Sequence, residues 1–273
     1  MTPNLRIAVV VATYNWPAAL DRVLASLADQ THRAFEVIVA DDGSGPETAD
    51  LIERWTEQVQ FPLKHVWQED NGFRLAAIRN RAVAATDAEY IVFLDGDCVV
   101  RSDFLARHAA LADQDRFAAG NRVLLSREFS ERILEQGLDV STWSSRRWIS
   151  ERLSGGLTRW WPLLRLPPGA WRDRSPHHWR GAKGCNMAFW RDDLLTVNGL
   201  DEQYTGWGYE DSDLIIRLIR HGIRRRDGRL GTTVLHLWHH EVERDGTEQN
   251  LARLAAIQDN PAVRAEVGID RYL

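Results

Sequence analysis

The sequence predicts an α/β fold in which a mostly parallel sheet is flanked by helices. Short apolar runs, rich in β-branched and aromatic residues, alternate with stretches of helical apolar spacing along roughly the first hundred residues. The runs end in turn residues, as buried strands do. The order β-α-β-α-β-α-β favours parallel strands with right-handed crossovers, and this arrangement gathers the strand-end loops on one edge of the sheet.

Each element rests on its own local pattern. Residues 6–12 form an apolar run typical of a buried parallel strand, and Pro17 after it suits the first turn of a helix. The further predicted strands are 35–40, 63–67, 90–94, 117–125, 183–190 and 232–241. The predicted helices are 18–28, 48–59, 75–85, 103–113, 129–153, 214–221, 248–257 and 261–267.

The composition limits the classes of protein to which the chain can belong. With 44% hydrophobic and 27% charged residues, the 273-residue chain is typical of a soluble globular protein. The net charge of −5 argues against a nucleic-acid partner. No apolar run approaches the roughly 20 residues that cross a bilayer, and the opening residues show no signal-peptide pattern. Two cysteines make no disulfide framework, so we expect a cytoplasmic protein.

The stretch from Tyr90 to Cys98 predicts a binding site. Its apolar strand ends in Asp95, Gly96 and Asp97, so two carboxylates follow the carboxyl end of a strand. Carboxylates in that position suit a hard divalent cation and a phosphate-bearing ligand. The competing interpretation is a solvated Asp-Gly turn between two strands.

Two other predicted strand ends carry polar side chains. Tyr14 and Asn15 follow the first strand, and Asp41 and Asp42 follow the second. An aromatic ring can stack on a base, and a carboxylate can accept a hydrogen bond from a base N–H, although an acid here can also cap the next helix. The glycine-rich phosphate loops of dinucleotide dehydrogenases and P-loop enzymes are missing from the sequence.

Four short motifs occur in a fixed order: Ala12 to Asn15, Asp41 to Ser44, Asn71-Gly72 followed by Arg79-Asn80, and Asp95 to Asp97. Together they resemble the GT-A-fold (Rossmann-like) glycosyltransferases of the family-2 type. The resemblance covers nearly the whole chain up to the histidine segment near residue 240. It implies an inverting enzyme that uses a nucleotide-sugar donor and a divalent metal ion.

By position, the resemblance implies that Tyr14 and Asp42 hold uracil or another base. It places Arg79 near the donor phosphates, although a surface ion pair on a helix competes with that role. It puts Asp95 against the ribose or the metal, and it makes Asp97 a metal ligand of a DXD motif. The other residues that it assigns to the nucleotide-sugar site are Thr13, Asn15 and Gly96.

A second acidic segment runs from Gly206 to Leu214. Its flanking glycines would leave Trp207 exposed above a cleft, where an indole face can pack on a sugar ring. The segment resembles the carboxyl-terminal GWGxED motif of galactosyltransferase-type members. The resemblance implies that Asp211 is the catalytic base and that Glu210 orients the acceptor. The acceptor platform would be Trp207 with Gly208.

Acids in the first turn of a helix are also favoured by its dipole, which is the competing interpretation for Glu210 and Asp211 and suffices for Asp213 without any catalytic role. Tyr209 stands where these enzymes often have a small residue, which leaves the shape of the acceptor subsite open. In the implied reaction, a carboxylate accepts the proton of the attacking hydroxyl. A metal ion neutralises the departing nucleoside diphosphate.

Residues 232–241 contain His236, His239 and His240. The resemblance favours His236 as a metal ligand, with His239 in reserve. Packed or surface histidines are the competing interpretation for each. With Asp95 and Asp97, this set implies Mn²⁺ or Mg²⁺ as the cofactor.

Nine of the 12 tryptophans lie in the second half of the chain, several of them among arginines in residues 128–180. We rank the filling of a helical core first, contact with the acceptor second, and a membrane interface third. The predicted organisation is a nucleotide-sugar-binding half, a helical insertion, an acceptor-binding and catalytic half, and a helical tail within one compact domain. Their bounds are 1–127, 128–180, 181–245 and 246–273.

The predicted function is metal-dependent, inverting transfer of a sugar, of the hexosyltransferase type, from a UDP-sugar to a hydroxyl of a glycan or lipid-linked saccharide. Cell-envelope polysaccharide synthesis in the cytoplasm is the expected setting, at the inner membrane face if the insertion contacts lipid. Two alternatives remain. A nucleotidyltransferase or pyrophosphorylase would carry a basic glycine-rich loop after the first strand. A non-catalytic carbohydrate-binding relative would have lost its acids.

Overall fold

A computed structural model describes residues 5–240 and 246–273. The predicted alternation of strands and helices over the first hundred residues is confirmed. The strands are β1 (Ile7–Thr13), β2 (Phe35–Asp41), β3 (Leu63–Trp67), β4 (Tyr90–Asp95), β5 (Cys98–Val99), β6 (Arg116–Ala119), β7 (Arg122–Leu124), β8 (Asn186–Trp190), β9 (Arg224–Asp227) and β10 (Val234–His236). The helices are α1 (Pro17–Ala28), α2 (Pro46–Gln58), α3 (Leu75–Ala84), α4 (Phe104–Leu111), α5 (Arg127–Gln136), α6 (Ser145–Leu153), α7 (Arg191–Thr196), α8 (Glu210–Arg220) and α9 (Thr247–Asp259).

The main sheet of the described residues has the strand order β3-β2-β1-β4-β8-β6-β9. Strands β3, β2, β1 and β4 are parallel, β8 is antiparallel to β4 and β6, and β9 is parallel to β6. The sheet is therefore mostly parallel, as predicted. Thr13 lies beside Asp41, and Ala12 lies beside Asp95, so the three strand-end loops share one edge as expected.

A small sheet, of order β5-β10-β7, lies next to this edge. Strand β10 pairs antiparallel with β5 and places His236 opposite Cys98. The N–H of Leu237 donates to the carbonyl of Asp97 at 2.9 Å. The histidine segment thereby returns to the first acidic motif.

Apolar residues on the two faces of the main sheet form two buried clusters, one with α1 and α2 and the other with α3 and α8. Trp143 and Trp148 belong to the first cluster, with ring centroids 4.9 Å apart. The first-ranked role of the tryptophan-rich stretch, core filling, is confirmed for these two residues. Trp161 is 46% exposed and does not share that role.

Some predicted elements were wrong in detail. The helical stretch 129–153 is two helices, because Gly137 adopts φ +62° after α5 and the Ser144 side chain caps α6. The strand 117–125 divides at Gly120, where the chain passes from the main sheet to the small one. Residues 261–267 form no helix, because their backbone bonds elsewhere: the N–H of Ala265 donates to the carbonyl of Val197 at 3.0 Å.

Of the predicted strand 232–241, only Val234–His236 is a strand, and Glu241 lies outside the described residues. Among the residues that are described, no helix has the length and apolar content needed to cross a bilayer.

Candidate active site

The edge of the main sheet opens into a cleft of about 350 Å³. Asp95, at the end of β4, lines one part of it, and Glu210 and Asp211, in the first turn of α8, line another. The structure therefore brings together the two acidic groups that the sequence predicted to converge. Asp97 lies beside the cleft, at the small sheet.

A buried arginine joins the two acidic groups. Arg79, on α3, is 1% exposed, and its Nη2 donates to Asp95 Oδ1 at 2.7 Å. Its Nη1 lies 3.7 Å from Glu210 Oε1. The alternative of a surface ion pair is therefore wrong for Arg79. The guanidinium lies under the cleft, where it balances the carboxylates on both sides.

Gly184 forms hydrogen bonds with Arg79 and Asp211 through its backbone. Its carbonyl accepts from Arg79 Nη2 at 3.2 Å, and its N–H donates to Asp211 Oδ2 at 3.1 Å. A Cβ at this position would lie 2.5 Å from Arg79 Nη1, so a side chain here would displace the guanidinium. The glycine therefore allows Arg79 to reach Asp95.

The two acids of α8 have different environments. Glu210 is buried, whereas Asp211 is half-buried and faces the cleft. Burial, reinforced by the charge of Asp211 and opposed by Arg79, raises the pKa of Glu210 to about 7. Burial also raises the pKa of Asp95, while Arg79 opposes the shift. Glu210 is thus an acid whose charge changes near neutral pH.

Asp97 faces two imidazoles. The Nε2 atoms of His236 and His239 each lie 3.4 Å from Asp97 Oδ2. Burial lowers the pKa of His236, which favours the neutral ring that binds metals. The Nδ1 of His239 is 2.7 Å from the carbonyl of His240, an arrangement that directs its Nε2 towards Asp97.

The donor set suits a divalent cation that accepts oxygen and imidazole ligands, such as Mn²⁺. One ligand atom each from Asp97, Cys98 and His236 lie within 4.8 Å of one another. The Cys98 thiol donates to Asp97 Oδ1 at 3.2 Å, so Asp97 Oδ2 is the oxygen that faces the histidines. The residues present therefore fit a divalent metal ion.

The predicted base-binding residues lie on the loops after β1 and β2. Tyr14 is 50% exposed, and its hydroxyl donates to Asp70 Oδ2 at 2.9 Å. Asp42 is buried and accepts from Gln68 Nε2 at 2.5 Å and from the Arg74 N–H at 2.7 Å. Asn15 is tied to the second loop, since its Oδ1 accepts from the Gly45 N–H at 2.9 Å.

Asp41 instead supports the fold, with Oδ1 accepting from the Ser44 N–H at 2.8 Å and Oδ2 lying 2.9 Å from His65 Nε2. Gly96 has a steric reason for its place: a Cβ there would lie 2.9 Å from the Ala12 carbonyl and 3.0 Å from Thr13 Oγ1. Both Thr13 and Gly96 therefore pack the junction between β1 and the turn after β4.

The loop before α8 presents an exposed indole at the cleft. Gly206 and Gly208 adopt φ +75° and +95°, and Tyr209 also has positive φ, at 74°. Trp207 is 41% exposed and lines the cleft, as predicted. Asp213 is buried against Arg217, whose Nε donates to it at 2.8 Å, so its structural role is confirmed.

Sequence reasoning missed two basic residues of the cleft, Arg122 and Lys183. Arg122 begins β7, and Lys183 precedes the turn into β8, so neither belonged to a recognised motif. It also underrated His239, which is as near to Asp97 as His236 is. The spacing of three residues between His236 and His239 was the signal in the sequence that could have found it.

Residues 8–166, more than half of the chain, match the profile described as glycosyl transferase family 2. The chain belongs to this family. Residues 173–240 match a second profile, described as the N-terminal domain of galactosyltransferase. This second match covers the segment that contains the GWGxED-like residues and the histidines.

Curated relatives of this family-2 chain include sugar-transferring enzymes. It is 32% identical over 228 residues to a validoxylamine A glucosyltransferase of Streptomyces hygroscopicus subsp. jinggangensis, and the match covers 80% of the chain and 52% of the relative. It is 29% identical over 230 residues to the hyaluronan synthase of Pasteurella multocida, covering 80% of the chain and 23% of the relative. The chain thus spans about half or less of the length of these relatives.

Solved structures share its fold. A mannosyltransferase from Pyrobaculum calidifontis, in complex with GDP-Man and Mn²⁺, has a TM-score of 0.60 at 20% identity, covering 95% of the chain and 67% of the other protein. S. aureus TarS 1-349 in complex with UDP has a TM-score of 0.62 at 14% identity, covering 98% and 68%. The family-2 chain therefore has the GT-A fold of glycosyltransferases, as the sequence predicted.

Proposed function

We propose that this family-2 chain transfers a sugar, with inversion, from a nucleotide-sugar donor to a hydroxyl of a glycan or glycolipid. The observation that supports it most is the shared cleft, in which Arg79 links Asp95 to Glu210. One acidic group belongs to the strand-end edge where α/β folds bind ligands, and the other lines the same space from α8. A donor and an acceptor bound there would meet.

In the proposed reaction, Asp211 acts on the acceptor. Its half-buried carboxylate lines the cleft and is held by the Gly184 N–H, so it is positioned to accept the proton of an attacking hydroxyl. Glu210, buried beneath it, would orient the acceptor by accepting hydrogen bonds. Trp207 would supply the face on which the acceptor ring packs.

The residues after β1, β2 and β4 would bind the donor. Tyr14 and Asp42, with Thr13, Asn15 and Gly96 around them, would hold the nucleotide, and Asp95 would contact the ribose or the metal. Asp97 and His236, with His239 near them, would hold a divalent ion. When bound, such an ion supplies positive charge that stabilises the departing diphosphate.

Arg122 and Lys183 line the cleft, and the charge of Arg122 acts on Asp95, so the two residues would add positive charge where the diphosphate leaves. Arg79 is occupied by carboxylates, and its part is to hold Asp95 and Glu210 in place.

The donor class is supported by the structural neighbours, which were solved in complex with GDP-Man, UDP and UDP-GlcNAc. We favour a UDP-sugar. The curated relatives include hyaluronan and chondroitin synthases, which supports a glycan acceptor in cell-envelope polysaccharide synthesis. The exposed Leu153 and Trp161 of the arginine-rich insertion would contact the inner membrane face if the acceptor is lipid-linked.

A donor screen tests this proposal. Nucleotide sugars are incubated with the protein, with and without Mn²⁺, and the products are separated. Release of a nucleoside diphosphate that depends on the metal is the expected result. Release of nucleoside monophosphate and sugar 1-phosphate would instead indicate a pyrophosphorylase. Donor binding without turnover, with and without added saccharide acceptors, would indicate a carbohydrate-binding relative.

A further inference from the structure

A second cavity, of about 170 Å³, lies between the start of α3 and the last turn of the chain. Basic side chains dominate its polar lining, which has three arginines and a single acid. Two tyrosines complete the polar set. These residues are Arg74, Arg81, Arg271, Glu202, Tyr204 and Tyr272.

The single acid is fully engaged. Glu202 Oε1 accepts from Asn80 Nδ2 at 3.0 Å. Its Oε2 accepts from Arg271 Nη1 at 3.0 Å and from the Tyr272 hydroxyl at 2.9 Å. Glu202 therefore balances the charge of Arg271 and is not available to the other two arginines of the cavity.

The side-chain contacts of Arg74 and Arg81 supply no negative charge, although the Asp42 carboxylate, which accepts from the Arg74 N–H, also attracts the Arg74 guanidinium. Nη2 of Arg74 donates to the carbonyl of Glu69, and the guanidinium of Arg81 lies over the Tyr272 ring, with Cζ 4.8 Å from its centroid. The Nε–H groups of both are buried and have no hydrogen-bond partner among residues 5–240 and 246–273. Buried donors of a cation without partners are costly, and an anion in the cavity would remove that cost.

The position of these residues suits a small anion with several oxygens. Arg74 and Arg81 are two helical turns apart, hence on one face of α3, and the small Ala77 between them leaves room on that face. Arg271 approaches from the last turn of the chain. The guanidinium groups of these two segments together offer more N–H donors than the two oxygens of a carboxylate ligand can accept. An anion with more oxygens therefore suits the cavity better than a carboxylate does.

We propose that this second cavity binds a phosphate group, as inorganic phosphate or as a small phosphomonoester. The site is distinct from the active-site cleft. Arg79 faces the cleft from the other side of α3, and Phe73 and Leu75, on either side of Arg74, line the cleft. The proposal therefore does not depend on the reaction that the cleft performs.

Calorimetric titration of the metal-free protein with inorganic phosphate, at constant ionic strength, tests the site. We expect one saturable site per chain. Arg81→Gln and Arg74→Gln should each weaken binding by about tenfold or more, because each removes charge-assisted hydrogen bonds. Arg81→Lys should fall between wild type and Arg81→Gln. Arg54→Gln, an exposed arginine on α2, is the matched control and should bind as the wild type does.

Two further arms identify the location and the ligand class. Lys183→Gln, in the cleft, should keep phosphate affinity; loss there with retention in Arg81→Gln would overturn the proposal. Acetate should not saturate, and acetate binding as tight as phosphate would overturn the assignment to phosphate. Glycerol 3-phosphate binding more tightly than inorganic phosphate would identify a phosphomonoester as the ligand, and the reverse would identify the free ion.

Melting temperatures of the variants separate loss of binding from loss of folding. Arg74→Gln leaves the contact between Arg81 and Tyr272 intact, so it provides a folded variant if Arg81→Gln is unstable. Phosphate should raise the melting temperature of the wild type by more than it raises that of Arg74→Gln at the same concentration. Absence of saturable phosphate binding to the wild type would reject the site.

Discussion

Nη2 of Arg79 lies 2.7 Å from Asp95 Oδ1, and the same guanidinium reaches to within 3.7 Å of Glu210. One buried cation thus holds a carboxylate of the strand-end edge and a carboxylate of the first turn of α8. Because Gly184 bonds to both Arg79 and Asp211, the acceptor acid is part of the same network. The proposed donor and acceptor sides are therefore connected by direct contacts.

Replacing Arg79 should damage both activity and stability. In Arg79→Gln, Asp95 and Glu210 lose their shared counterion, and we expect the free energy of unfolding to fall by about 2 kcal/mol. Transfer should fall by about a hundredfold or more, because the two acids no longer keep their positions. Urea unfolding and product formation measure the two effects, with Arg54→Gln as the control. Normal transfer in Arg79→Gln would contradict the coupling.

Removing the proposed base should separate binding from chemistry. Asp211→Asn keeps the shape of the side chain but cannot take a proton from the acceptor hydroxyl. We expect transfer to fall by about 10² to 10⁴-fold, the usual contribution of a general base. Donor affinity, measured by calorimetry, should be unchanged. Turnover at the wild-type rate would remove Asp211 as the base.

The proposed metal ligand should control donor binding. Asp97→Ala removes the carboxylate that faces His236 and His239, so the increase in donor affinity caused by Mn²⁺ should disappear. Donor affinity is measured with and without Mn²⁺ in the variant and in Asp50→Ala, an exposed acid on α2. If Asp97→Ala responds to Mn²⁺ as the control does, the metal has other ligands.

The pH dependence of transfer should carry the signature of Glu210. Burial and Asp211 raise its pKa to about 7, so it is protonated below this pH and ionised above it. Only the ionised form accepts two hydrogen-bonding hydroxyls without donating a proton, so kcat/KM should rise with pH through about 7. Glu210→Gln should lower the plateau and remove this rise. A wild-type profile that is flat from pH 6 to 8 would contradict the assignment.

The parallel part of the sheet could be predicted because β1 and β4 are continuous apolar runs, and such runs are typical of parallel strands that are buried on both faces. It predicted the meeting of Asp95 with Glu210 and Asp211 only through the family resemblance, since nothing local in either segment specifies a long-range contact. The exposure of Trp207 could be predicted from the sequence because the glycines on both sides of it allow positive φ.

The structural features that the sequence did not predict depend on tertiary contacts. The resemblance placed Arg79 near the donor phosphates, but its role as a buried bridge between two carboxylates depends on its passage beside Gly184. The strand break at Gly120 follows from the presence of two sheets, which no local pattern encodes. Arg81 and Arg271 meet at the second cavity only because the carboxyl-terminal turn folds against α3.

The most direct test of the central claim is a crystal structure with UDP and Mn²⁺, with the metal located by anomalous scattering. We expect one manganese peak bonded to Asp97 and His236, with the diphosphate on it pointing into the cleft that Asp211 lines. A manganese peak away from Asp97, or a nucleotide bound outside that cleft, would show that the two acidic groups do not serve one reaction.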